Sequence, residues 1–314
     1  MNEPKKTNSD ANGGSLSSLP SVGGEALPSP IEGNPLKTED PIKLLIHPPP
    51  MLPEWVMRCS AEEAYLDFKR GRNTDILRGV KTILTPPDAN PKLAKSSIPI
   101  YGITLAPAGM SGYQVCPSRS KACEASCLGV VAGRGRMSST RASRIAKTKL
   151  LFEDPYRFFM KLYQEVDRAC RKHGSWQLAL RCNVLSDINW GGVSPELSTY
   201  PIIRYDYTKM YRYLFYGHDI HYTFSYSGHN ARLCYATLRR GVNVAVVVSE
   251  EVKKACLFKG SIDIFEGHYP VLDGDLSESR WLDPRGHIVL LRGKGKISHS
   301  NFYTTRVEDL PVKI

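Results

Sequence analysis

Apolar runs alternate with helical stretches from about residue 98 onward. Runs rich in apolar, aromatic and β-branched residues predict strands at 100–108, 176–184, 202–208, 220–227, 243–249, 269–275 and 287–295. Stretches of helical character predict helices at 138–153, 155–174, 230–241 and 250–258. Such alternation indicates right-handed crossovers and a parallel sheet. Because no GxGxxG motif follows the first strand, the pattern favours an α/β fold of the full or partial (β/α) barrel type over a dinucleotide-binding sheet.

The first 97 residues lack this alternation. Residues 1–54 are rich in Gly, Ser, Pro and Asn, and they predict a disordered N-terminal tail because they bury too little apolar surface to offset the entropy of ordering. Residues 55–97 are interpreted as a helical extension, since Ser60-Ala-Glu-Glu63 resembles a capping box that opens a short helix. A barrel-like domain is then expected at 98–314, and it includes a loop with three cysteines, Cys116, Cys123 and Cys127, which is called the cysteine loop below.

Composition adds an expectation about partners. The net charge is +11 and the isoelectric point is near 9.2, which favours an anionic ligand such as a nucleotide or nucleic acid. A generally basic surface without a dedicated partner is the alternative. No apolar run approaches the roughly 18 residues of a membrane helix, and the N-terminus lacks a secretory signal. A cytoplasmic protein without a membrane partner is therefore expected.

Three of the eight cysteines lie close together after the first predicted strand. They are Cys116, Cys123 and Cys127, and thiolates this near each other can bind one metal ion or cluster. Three cysteines on a [4Fe-4S] cluster would leave one iron open, whereas a structural zinc would need a fourth ligand from elsewhere. A [4Fe-4S] cluster, zinc and no metal all remain open at this point.

Polar residues recur where the predicted strands end, which is where β/α barrels carry their chemistry. They include Asn183, Ser186, Asp187, Asp206, Lys209, Ser225 and Asp273. We expect them to share a pocket, with Asp187, Lys209 and Asp273 as candidates for catalytic roles. Local turns, or an ion pair between Asp206 and Lys209 at the rim, would account for the same residues without a pocket.

A basic stretch follows the cysteines, with no acidic residue between Glu124 and Glu153. It contains Arg134, Arg136, Arg141, Arg144 and Lys147. Clustered cations at the start of a helix are suited to phosphate or to a nucleic-acid backbone. A solvated basic helix is the alternative interpretation.

Several segments occur in a fixed order between about Asn90 and Gly295; they include LAPAGMSGYQVCP, CLGVVAGRGRM, RCNVLSDINW, YDYTK, GVNVAVV, VLDGD and LRGKGK. In sequence and order these segments resemble a family of bacteriophage-encoded proteins without an assigned activity. The resemblance implies a phage or prophage origin and a function in the cytoplasm of the bacterial host.

A more distant resemblance concerns mechanism. A three-cysteine loop after the first strand of a β/α barrel is similar to that of radical S-adenosylmethionine enzymes, although the first two cysteines here are farther apart than in CxxxCxxC. This resemblance implies a [4Fe-4S] cluster with S-adenosylmethionine on its open iron. By the same analogy, the cofactor-binding residues would be Asn183, Ser186, Asp206 and Ser225.

The leading hypothesis is thus a phage-encoded iron–sulfur enzyme of radical type that acts on a nucleotide, nucleic acid or modified base. The alternative is a zinc-stabilised nucleic-acid-binding protein without catalysis. A metal-dependent hydrolase that uses Asp187 and Asp273 is a third possibility, but no HExxH motif supports it.

Overall fold

The computed structural model describes residues 80–89, 96–174, 177–216, 219–294, 303–304 and 306–312. The predicted disordered tail and the predicted helix after Ser60 lie outside these ranges. Within them, the strands are β1 (Leu84–Thr85), β2 (Ile100–Ile103), β3 (Ala179–Arg181), β4 (Ile203–Thr208), β5 (His221–Ser225), β6 (Val244–Val248), β7 (Ser261–Ile264), β8 (Gly267–Asp273), β9 (Ile288–Arg292) and β10 (Tyr303–Thr304).

The α-helices of the described residues lie mostly between these strands. They are α1 (Lys121–Ala125), α2 (Leu128–Val131), α3 (Ser138–Glu153), α4 (Pro155–His173), α5 (Trp190–Val193), α6 (Ala231–Leu238) and α7 (Glu250–Lys259). None of them is both long and apolar enough to cross a lipid bilayer.

The strands form one mostly parallel sheet in the order β1-β2-β3-β4-β5-β6-β9-β8-β7, with β10 beside β6. Strands β2 to β6 follow one another in chain order and pair in parallel, and β9 and β8 continue the parallel arrangement. Only the hairpin β7–β8 and the pair β1–β2 are antiparallel within the described residues. The α/β class and the mainly parallel sheet are therefore confirmed.

The longest helix, α4, begins and ends where local chemistry predicts. The side chain of Asp154 accepts a hydrogen bond from Arg157 N at 3.2 Å, and Pro155 occupies the first turn of α4. Proline suits this position because the first N–H groups of a helix have no partner inside it. Gly174 ends α4 with a φ of 82°. The predicted bounds of α3 and α4 agree with the structure.

Helices α3 and α4 cover one face of the sheet. Leu150, Phe158 and Leu162 pack there with Leu180 and other fully buried residues. Side chains of successive strand residues point to opposite faces, so Ala179 and Tyr205 pack on the other face, next to Trp281. A second core surrounds β5, β6 and β9 beneath α6 and α7.

Part of the predicted helical extension is instead a strand. Leu84–Thr85 forms β1 at the edge of the sheet. The buried carboxylate of Glu165 on α4 accepts hydrogen bonds from Ile83 N at 2.9 Å and from Leu84 N at 2.8 Å. This carboxylate holds β1 against the domain, so the boundary predicted at residue 97 separates segments that pack together.

Candidate functional site

A cavity of about 680 Å³ lies at the carboxyl ends of the parallel strands. Its lining comes from the loops after β2 and β3, from β4 and β6, and from the segments after β8 and β9. The lining residues with polar or ionisable side chains include Cys116, Arg119, Cys123, Glu124, Ser126, Cys127, Arg181, Asn183, Ser186, Asp187, Tyr207, Lys209, Asp275, Arg292 and Lys294. Several of the polar strand ends predicted to share a pocket therefore do line one cavity.

All three clustered cysteines line this cavity as free thiols. The thiol of Cys116 donates a hydrogen bond to Leu185 O at 3.3 Å. Cys123 lies in α1, whose N-cap residue Ser120 accepts a hydrogen bond from Cys123 N. Cys127 is the N-cap residue of α2. Two short helices thus direct the second and third cysteines toward the space that the first one lines.

Two of the three thiols lie in a largely desolvated environment. Burial raises the pKa of Cys116 to about 12 and also raises the pKa of Cys127. Among the described residues, no three His, Cys, Asp or Glu side chains are arranged so that they could hold a metal ion together. The cysteines therefore share a cavity but are not placed as one ligand set for a metal ion.

Two predicted phosphate-binding residues instead hold the cysteine loop in place. Arg141 on α3 donates through Nε to Gly135 O at 2.8 Å, and Arg144 donates to Gly129 O at 2.9 Å. These carbonyl groups lie in and after α2, where the backbone has few partners of its own. The two arginines fix the segment that begins at Cys127.

The other predicted phosphate-binding residues do not line the cavity. Lys147 is buried and donates to Ile83 O at 3.1 Å. Arg134 and Arg136 are exposed, and Arg134 donates to Ala89 O at 3.3 Å. The five residues therefore do not form one binding surface.

Asn183 is the centre of a buried hydrogen-bond network after β3. Its Oδ1 accepts from Ser186 Oγ, Ile188 N and Trp190 Nε1 at 2.8, 2.9 and 3.0 Å. Its Nδ2 donates to Ile188 O at 2.9 Å and to Asp206 Oδ2 at 3.3 Å. The hydrogen-bonding capacity of this predicted cofactor-binding side chain is used within the protein.

Asp187 joins three segments around the cavity. Its Oδ1 accepts from Thr208 Oγ1 at 2.7 Å, its Oδ2 accepts from Lys209 N at 2.8 Å, and its own N–H donates to Val115 O at 2.7 Å. Burial raises the pKa of this carboxyl group. Both carboxylate oxygens are engaged, so Asp187 fixes the backbone on which Lys209 and the cysteine loop are carried.

Lys209 lies among the thiols. Burial lowers the pKa of its ammonium group, but the three cysteines and Asp187 outweigh this effect and raise the pKa above its ordinary value. Arg181 on β3 is a further cation that lines the cavity. It forms an ion pair with Glu278 at 3.1 Å and lies 4.6 Å from the Tyr207 ring centroid. Arg181 and Tyr207 were not predicted from the sequence. An arginine inside the apolar strand 176–184 was the signal that could have indicated Arg181.

Three other predicted site residues do not line the cavity. Asp206 is buried on the helix-covered side of β4 and bonded to Asn183. Ser225 uses its backbone carbonyl to accept from Asn230 Nδ2. Asp273 forms an ion pair with Lys253, which also contacts Asp275 at 2.8 Å. Of this acidic turn, only Asp275 reaches the cavity.

Fold and site together define the class: a mostly parallel α/β protein with a cysteine-lined cavity at the carboxyl ends of its strands. The sequence profile of the Gene product 88 family matches residues 76–306. The chain belongs to this phage-type family, which confirms the phage part of the resemblance. No curated protein and no solved structure matches the chain. None of these comparisons indicates a radical S-adenosylmethionine enzyme.

Proposed function

We propose that this chain is an iron–sulfur enzyme that acts on an anionic substrate, such as a nucleotide, a nucleic acid or a modified base. Cys116, Cys123 and Cys127 would hold the cluster in the cavity, and the substrate would bind beside it. One observation carries the proposal: three cysteines of a single loop line one cavity at the carboxyl ends of parallel strands. In α/β folds this edge of the sheet is where ligands bind.

The ligand set favours an open cluster over a structural zinc. The residues that line the cavity include neither a histidine nor a fourth cysteine. Its carboxylates are engaged elsewhere: Asp187 by two hydrogen bonds, and Glu124 by an ion pair with Arg119 at 2.6 Å. A structural zinc usually has four protein ligands. A three-cysteine cluster with one open position needs no fourth protein ligand, and binding it would require the three thiols to move closer together than they lie here.

The volume of the cavity supports a second ligand next to the cluster. About 680 Å³ lies within the range of small-molecule sites, roughly 300–1,000 Å³. S-adenosylmethionine is the candidate that the resemblance names for the open iron. Asn183 and Ser186 are engaged with each other, however, and Asp206 and Ser225 lie away from the cavity. The proposal therefore does not assign these four residues to the cofactor.

The finer fold proposal is a partial β/α barrel. Residues of β3 and β9 line the same cavity, although four strand-to-strand steps separate them in the sheet. At about 4.8 Å per step, a flat sheet would hold these strands roughly 19 Å apart. One shared pocket supports a sheet that curves around it. No pairing joins the two ends of the strand path within the described residues.

Anaerobic purification and reconstitution test the function directly. The expected result is about four iron atoms and four sulfides per chain, with the visible absorbance of a [4Fe-4S] cluster. Changing Cys116, Cys123 or Cys127 to Ser should reduce the iron content strongly. Cys170→Ser is the matched control, because Cys170 is a half-buried free thiol on α4 outside the cavity.

The metal analysis also separates the alternatives. Zinc that is lost with the three cysteines, and no iron, would favour the zinc-stabilised nucleic-acid-binding protein. Iron that survives the triple Cys→Ser change, or a chain without any metal, would rule out the proposed cluster.

A further inference from the structure

The charged groups that line the cavity differ in whether they have partners. Arg119 is paired with Glu124, Arg181 with Glu278, and Asp275 with Lys253. These close ion pairs largely neutralise their members. Arg292 and Lys294 also line the cavity, and each lies 3.7 Å from a carboxylate, that of Glu250 and that of Asp275.

Lys209 is different. Within the part of the chain that the structure describes, no carboxylate lies within 4.0 Å of its ammonium group and no acceptor is hydrogen-bonded to it. Its backbone is nevertheless fixed, because Lys209 N donates to Asp187 Oδ2 at 2.8 Å. Among the described residues its ammonium group thus has no direct ion-pair or hydrogen-bond partner at the cavity, although Asp187 and the three cysteines favour its charged form through space.

We infer that Lys209 anchors the acid group of the substrate, a carboxylate or a phosphate, beside the three cysteines. This inference rests on the proposed function, because it places the substrate in the cavity of the proposed cluster. Lys209 is a specificity-determining residue in this arrangement. It binds the acid group and orients the rest of the ligand, and it moves no proton.

The rest of the cavity suits a ligand with one acidic end. Val247 and Leu291 provide apolar surface. The ring of Tyr207, which Arg181 contacts, provides a planar aromatic surface. A planar base could stack on such an aromatic surface. A nucleoside that carries an acid group therefore matches the chemistry of the cavity.

Three probes with the same nucleoside test this inference on the reconstituted full chain. They are adenosine 5′-monophosphate, adenosine 5′-carboxylate and neutral adenosine, and their dissociation constants would be measured by anaerobic calorimetry. We expect at least one of the acids to bind more tightly than adenosine. Lys209→Met should weaken the binding of that acid roughly tenfold to a hundredfold, the value of one charge-assisted hydrogen bond, and leave adenosine unchanged. Which acid is weakened identifies phosphate or carboxylate as the group that is bound.

Matched variants separate charge from structure. Lys254→Met removes an exposed lysine of α7 outside the cavity and should leave all three constants unchanged. Lys209→Arg keeps the charge and should keep the preference for the acid, which provides a test even if Lys209→Met does not fold.

The outcomes distinguish this inference from the proposed function. A wild-type chain without iron contradicts the cluster. A wild-type chain that binds iron, but prefers neither acid over adenosine, contradicts the anchor alone. Loss of iron in a folded Lys209→Met variant would mean that the ammonium balances the charge of the cluster, and this too would overturn the anchoring role.

Discussion

Replacing Asn183 by Ala tests whether the loop after β3 is held by a hydrogen-bond network or is available for a ligand. Asn183 is 2% exposed, and its side chain makes five hydrogen bonds. Alanine would leave the N–H groups of Ile188 and Trp190 without their acceptor. It would also remove the Nδ2 donor to Asp206 Oδ2, while the backbone N–H of residue 183 would still donate to Asp206 Oδ1.

The expected loss of stability follows from these partners. Each buried polar group that loses its partner costs about 1–3 kcal/mol. The costs within one network do not add in full. We therefore expect a total of about 3–5 kcal/mol, which corresponds to a fall in Tm of roughly 6–20 °C for a domain of this size.

Thermal unfolding of Asn183→Ala, compared with Asn189→Ala, measures this difference. Asn189 is the N-cap residue of α5, and its side chain accepts one hydrogen bond, from Gly192 N at 3.3 Å. Losing this cap should cost only about 0.5–2 kcal/mol. Equal Tm values for the two variants would refute the network as a source of stability. An Asn183→Ala variant of normal stability that no longer binds a ligand would restore the predicted cofactor-binding role.

Two further predictions concern the network and the cysteine loop. Burial raises the pKa of Asp206 to about 8, so the folded state keeps a proton that the unfolded state releases between about pH 4 and 8. The free energy of unfolding should therefore fall as pH rises through this window. Urea titrations at several pH values would measure it, and the dependence on pH should be weaker in Asp206→Asn than in the wild type. An equal dependence on pH in both proteins would contradict the raised pKa of Asp206. At Gly135, a Cβ atom would lie 2.5 Å from Gly129 O and 2.8 Å from Leu128 O, so Gly135→Ala should displace α2 and lower both Tm and iron content. Gly109→Ala is the control, because its Cβ would meet no atom within 4 Å, and equal losses in both variants would contradict the steric argument.

Much of the fold could be predicted because its signals are local. Pro155 and Gly174 mark the ends of α4, and the apolar runs of β6 and β9 indicate strands covered by helices. Strand β7 was missed. It pairs with β8 through a turn in which Phe265 and Glu266 have positive φ values, 49° and 56°. Phe and Glu rarely adopt positive φ values, so these residue types do not predict such a turn.

The basic stretch shows why a charge pattern did not identify its partner. Arg141 and Arg144 lie three residues apart on α3, as a phosphate-binding face would require. In the structure they donate to carbonyl oxygens of the segment that follows Cys127. A guanidinium group can donate hydrogen bonds to carbonyl oxygens as well as to phosphates. The partner is therefore set by tertiary packing, which the local sequence does not contain.

Strand geometry limits which of the polar residues at the strand ends can line one site. Successive residues of a strand point to opposite faces of the sheet. On β4, Tyr207 therefore shares the face of Tyr205, whereas Asp206 points to the helices with Arg204 and Thr208. Tyr207 and, two positions on, Lys209 line the cavity, and Asp206 is bonded to Asn183. A site that used both Asp206 and Lys209 would need a β-bulge between them. The side chains of β4 that can reach a substrate are therefore those that point to the same face of the sheet as Lys209.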